Sequence, residues 1–81
     1  MEISKLKEFI ETGRELEFEV NGRRCSLTYG VVNKSEVISF CEFNQPSTEV
    51  KNLEDLLKIS YKGKTFEEIW GNVKEEDLWV Y

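Results

Sequence analysis

Glu75, Glu76 and Asp77 stand consecutively near the end of this chain, with Trp70 before them and Trp79 and Tyr81 after. Paired carboxylates can work as general acid and base, or hold a divalent cation. Consecutive positions argue against both, because three adjacent side chains cannot all point at one substrate. Oxygen-rich calcium loops also space their ligands with Gly, Asp and Asn, which this trio does not do. A solvated acidic turn is the plainer account of it. The flanking aromatics add a recognition reading: an acidic rim beside the residue types that anchor protein interfaces. Trp70, Glu75, Glu76, Asp77, Trp79 and Tyr81 are therefore the candidate partner-binding residues.

The remaining chemistry is defined by what is missing. The 81 residues contain no histidine, which removes the commonest general base near neutral pH and the commonest metal ligand. Ser-His-Asp and Cys-His nucleophile systems cannot be built within one chain. Cys25 and Cys41, sixteen positions apart, cannot form a standard structural zinc site by themselves. No G-x-x-x-x-G-K-[ST] or strand-to-helix G-x-G-x-x-G is present to cradle a phosphate. The expectation is a protein that is not an enzyme, with no catalytic residue, metal ligand or cofactor. In a reducing compartment the cysteines are most simply buried thiols. Facing each other across neighbouring strands, they would have the geometry for a disulfide.

Sixteen acids against eleven bases give a net charge of −5. Residues 42–81 hold nine acids and five bases, for −4, so the second half carries most of it. That sign repels phosphates and anionic lipid, which disfavours generic nucleic-acid or membrane-surface binding and permits a basic partner. Arg23-Arg24 could suggest a phosphate contact, but a cross-strand pair between Arg24 and Glu19 explains them more simply. No apolar run approaches the roughly 20 residues that span a bilayer. Met1–Lys5 lacks the apolar stretch of a signal peptide, so a cytoplasmic location is expected.

These residues must be positioned by a single small domain covering residues 1–81. Ile3, Leu6, Phe9 and Ile10 form a helical stripe ending at Gly13, a residue suited to a left-handed cap. Leu16–Tyr29 alternates with period two around Asn21-Gly22, the dipeptide of a type I′ hairpin turn. Closing there pairs Val20 with Arg23, Phe18 with Cys25 and Leu16 with Leu27 on one face, which the first helix should cover. Asn33-Lys34-Ser35 marks another reversal before a third strand, Glu36–Phe43, with Ile38 and Phe40 expected on the helix side. Thr48–Lys51 suits a short edge strand. Asn52 begins a helix, and Thr65-Phe66-Glu67-Glu68 is a capping box. Phe66, Ile69, Trp70 and Val73 then recur at helical spacing. Leu78–Tyr81 is an apolar tail, either a closing strand that packs Trp79 into the core or an element completed by a partner.

The run Gly13–Leu27, with Gly63-Lys64-Thr65-Phe66-Glu67-Glu68-Ile69-Trp70, resembles short uncharacterised bacterial and prophage α+β proteins of unknown function. There a helix precedes a strand, an Asn-Gly turn and a second strand. The resemblance implies a fold but no activity and no functional residue. The expected fold is α+β: an N-terminal helix, a three- to four-stranded antiparallel β-meander, two short C-terminal helices and the apolar tail. The expected function is a non-catalytic protein–protein interaction domain, its partner an unknown protein or a second copy. One alternative is an acidic inhibitor competing for the basic surface of a nucleic-acid-binding protein. Another is a homodimer built on the C-terminal segment or a strand edge, and a carboxylate- or metal-dependent enzyme is the least favoured.

Overall fold

A computed structural model describes residues 1–81. The chain opens with helix α1 (Ile3–Glu11), followed by strands β1 (Leu16–Val20), β2 (Arg23–Val32), β3 (Ser35–Glu42) and β4 (Thr48–Val50). Helix α2 (Leu53–Leu57), a small hairpin of β5 (Ser60–Tyr61) and β6 (Lys64–Thr65), and helix α3 (Phe66–Gly71) come next. A 3₁₀ turn (Glu75–Asp77) leads into β7 (Leu78–Val80). The fold is α+β, with more strand than helix. No helix is long and apolar enough to cross a membrane.

Turn chemistry decides the register. Asn21 and Gly22 adopt φ of 50° and 79°, as a type I′ turn requires. The pairs Val20–Arg23, Glu19–Arg24, Phe18–Cys25, Glu17–Ser26 and Leu16–Leu27 follow from it. The third strand pairs Leu27 with Phe40 and Tyr29 with Ile38, which places Ile38 and Phe40 on the helix side.

The sheet has five antiparallel strands in the order β4-β3-β2-β1-β7. It is one strand wider than the expected meander, because the apolar tail joins it: Leu16 pairs with Val80, Glu17 with Trp79 and Phe18 with Leu78. The chain's last strand thus closes against its first, on the edge that the meander leaves open.

All helices lie on one face. Leu16, Phe18, Cys25, Leu27, Ile38 and Phe40 from the sheet meet Leu6, Leu56, Phe66, Ile69 and Trp70 from the helices in one core. Phe18 sits at its centre, edge-on to Phe66 at 6.2 Å and to Trp70 at 6.0 Å between ring centroids. Such edge contacts add to area burial because the positive ring edge meets a negative face.

Local caps fix the helices. The Asn52 side chain accepts from the Asp55 amide at 2.8 Å, and Thr65 and Glu68 form the reciprocal capping box. The Met1 ammonium donates to the carbonyls of Trp70, Gly71 and Val73 at 2.8, 3.2 and 3.1 Å. It thereby ties the first residue to the end of α3 and the turn that follows it.

Candidate functional site

An antiparallel sheet can leave one face to solvent, and this one does. The face opposite the helices is set by pairing: Trp79, Glu17, Ser26 and Cys41 lie in one row across four strands. Thr28, Ser39 and Glu49 lie in the next. The middle of the face is small and polar, and Ser26 Oγ lies 3.3 Å from Cys41 Sγ.

Large side chains stand at the rim of this platform. Trp79 is 39% exposed, Phe43 57% and Tyr81 61%. The Phe43 amide donates to the Arg24 carbonyl at 2.8 Å and the Tyr81 amide to the Glu15 carbonyl at 2.9 Å. Each bond extends the strand register by one residue, which turns both rings to the uncovered face.

Arg24 links the rows. Its guanidinium lies 4.3 Å from the centroid of the Trp79 ring and donates to Glu17 at 3.0 Å. The expected Arg24–Glu19 pair is not made: the guanidinium reaches diagonally to Glu17, where the Trp79 ring adds cation–π attraction. Glu19 stays exposed and takes part in no ion pair.

The sequence-derived candidates separate accordingly. Trp79 and Tyr81 reach the open face. Glu75 and Glu76 are exposed in the turn entering β7, and Asp77 is half-buried. Their carboxylates form no grouping able to hold a metal ion. Trp70 requires a correction: it is fully buried, with its indole N–H donating to the Glu2 carbonyl at 2.8 Å. It offers a partner no surface in this fold, because the helical stripe of Phe66, Ile69, Trp70 and Val73 faces the sheet. Of the two readings of the tail, a closing strand forms, but with Leu78 and Val80 turned to the core and Trp79 between them turned out.

The cysteines lie on opposite faces of the sheet, Cys25 in the core and Cys41 on the platform, so they do not face each other. Burial pushes the Cys25 thiol above its ordinary value.

A second polar group lies at the sheet's end on the helix side. The Tyr61 hydroxyl donates to Glu42, and Arg23 Nη1 approaches the same carboxylate at 3.4 Å. The Tyr61 hydrogen bond, aided by Arg23 and Lys62, holds Glu42 below the usual carboxylate range. Burial and the hydrogen bond to Glu42 push the Tyr61 phenol far up. Burial, with Glu15 nearby, raises Tyr29 as well.

Sequence reasoning put Arg24 on the solvated face opposite Glu19 but missed its contacts with Trp79 and Glu17, and it missed Phe43 as a surface residue and Glu42 with Tyr61 as a pair. For Phe43 a signal existed: the alternation that sends Ile38 and Phe40 to the helices sends Phe43 to the other face. Nothing in the spacing of Glu42 and Tyr61 announced their meeting.

The chain matches no protein-family model, no curated protein and no solved structure.

Proposed function

We propose that this protein is a non-catalytic, cytoplasmic protein–protein interaction domain whose working surface is the uncovered sheet face. The observation that carries the reading is the Arg24–Trp79 stack at 4.3 Å, standing with Phe43 and Tyr81 around a platform of small side chains. Trp, Tyr and Arg are the residues that contribute most at interfaces, and small neighbours let a partner approach closely. Two strands and a hydrogen bond from Arg24 to Glu17 hold the indole, so little ordering is left to do on binding.

Charge selects the kind of partner. Glu19 and Glu49 lie on the face, Glu75 and Glu76 rise beside it, and none of the four is ion-paired. The complementary surface is basic with an apolar centre. This supports the acidic-inhibitor version, in which the domain covers a basic patch that another molecule would otherwise use.

The test is affinity capture followed by titration of the purified partner against the wild type, Trp79→Ala and Glu19→Lys/Glu49→Lys. Both variants should bind at least about tenfold more weakly, the charge variant also losing its salt dependence. Wild-type affinity in both would refute the assignment of the face. Sedimentation over a range of concentrations separates the alternative of self-association, which predicts a dimer that Trp79→Ala dissociates.

A further inference from the structure

The two edges of the sheet are not alike. At one, β4 is entered through Pro46, carries Glu49 and is followed by Lys51. Proline and charge are the devices that keep an edge strand from pairing. At the other edge, Leu78, Trp79 and Val80 of β7 carry no charge at all.

Alternation along β7 decides which main-chain groups are free there. The Tyr81 amide donates to the Glu15 carbonyl of the chain entering β1, and alternate residues of an antiparallel strand bond the same neighbour. Trp79 and Tyr81 therefore spend their main-chain groups on the β1 side. The N–H and C=O groups of Leu78 and Val80 point the other way, where no further strand follows. Their side chains, turned to the core, are only partly buried.

Charge flanks this edge unevenly. Glu75, Glu76 and Asp77 immediately precede it. Arg14 stands at its other end, where Nε donates to the Tyr81 carbonyl and the two Nη nitrogens have no partner. None of these side chains is in an ion pair with another side chain. Asp77 and Tyr81 are separated by roughly 13 Å of extended chain, so the acidic turn and Arg14 of one copy do not meet.

We infer that two copies of this chain pair antiparallel through β7, about a two-fold axis at Trp79, joining their sheets edge to edge. Leu78 of one copy then stands opposite Val80 of the other, and each such pair exchanges both N–H···O bonds. Antiparallel pairing sets the acidic turn of each copy against the Arg14 end of its mate, whereas parallel pairing would set acid against acid. A two-fold contact uses the same edge on both copies, so assembly stops at the dimer and leaves the blunted β4 edges outermost. So short an edge makes a small interface, and the association is weak and concentration-dependent. Trp79 leans over β1 towards Arg24, away from this edge, and the open sheet face of both copies stays uncovered. The inference is therefore independent of the sheet-face reading.

Sedimentation equilibrium of the protein from about 10 µM to about 1 mM should show monomer passing into dimer. Amide hydrogen exchange over the same range should show Leu78 and Val80 gaining protection with concentration, while Trp79 is protected throughout. Arg14→Glu and Asp77→Lys should each weaken the dimer about tenfold, since each change enters a two-fold interface twice. Combined, the two substitutions should restore it. Trp79→Ala should leave the dimer intact, whereas a dimer joined through the sheet face would dissociate. A monomer at every concentration, or exchange at Leu78 and Val80 that ignores concentration, would overturn the proposal. So would wild-type association in both charge variants, a double variant no better than the single ones, or dissociation by Trp79→Ala. The exchange measurement uses wild-type protein alone, so it decides even if a variant folds poorly.

Discussion

Arg24 and Trp79 lie on strands that do not pair with each other, β2 and β7, yet the guanidinium and the indole centroid are 4.3 Å apart. They meet over β1, the strand between them, with Glu17 of β1 holding the guanidinium from below at 3.0 Å. The last strand therefore does two things at once: Leu78 and Val80 seal the core, and Trp79 joins a surface anchor.

The two tryptophans should behave oppositely on truncation. Trp70→Ala removes a fully buried ring and its hydrogen bond to Glu2, and should cost about 3–5 kcal/mol, enough to unfold much of a domain this small. Trp79→Ala should cost about 1 kcal/mol or less, the worth of an exposed cation–π contact. Urea unfolding of the two variants checks this, and similar losses would place Trp79 in the core.

The Asn33-Lys34 turn carries strain that can be relieved. Lys34 sits at φ 68°, a left-handed conformation costing a side-chain-bearing residue about 1 kcal/mol. Lys34→Gly should raise stability by roughly 0.5–1 kcal/mol, since the second position of a type I′ turn favours glycine. A chemical denaturation midpoint that falls instead would show that Lys34 makes a contact worth more than the strain.

The two thiols should differ in reactivity. Cys41, on the platform and partly exposed, should react promptly with a disulfide reagent in native protein. Cys25, buried and with its thiol pushed up, should react only on unfolding, because the thiolate is the nucleophile. Rapid reaction of both, or an intramolecular disulfide on mild oxidation, would contradict the opposite-face placement.

Stability should depend on pH at both extremes through one hydrogen bond. Glu42 is lowered when folded, so the folded state binds fewer protons. Its contribution is present above the unfolded value, near pH 4.5, and is lost as pH falls through the folded one. Tyr61 is raised when folded. Its contribution is present below about pH 10, the ordinary phenol value, and is lost as pH rises beyond it. Tyr61→Phe should flatten both limbs of the thermal stability profile. A variant profile parallel to the wild type at both ends would show the bond to be irrelevant.

How much of this was legible in the sequence depends on whether signals were local. The β1–β2 register was legible because Asn21-Gly22 and period-two alternation specify the same pairing. The burial of Phe66, Ile69 and Trp70 was legible in their spacing, and it competes directly with a surface role for Trp70. The fifth strand was harder: Leu78–Val80 is too short to show a period, and its partner lies some sixty residues away. Which side of it faced the core was set by pairing with Leu16 and Phe18. The Glu42–Tyr61 bond depends on the β5–β6 hairpin folding over the sheet's end, a tertiary event with no local signature.

The most direct test of the sheet face is a map of amide perturbations when the purified partner is added to isotope-labelled protein. The account predicts changes clustered at Arg24, Ser26, Cys41, Phe43 and Trp79, with the outer surfaces of α1 and α3 unaffected. Changes concentrated on those helices, with the Trp79 indole signal unmoved, would contradict it.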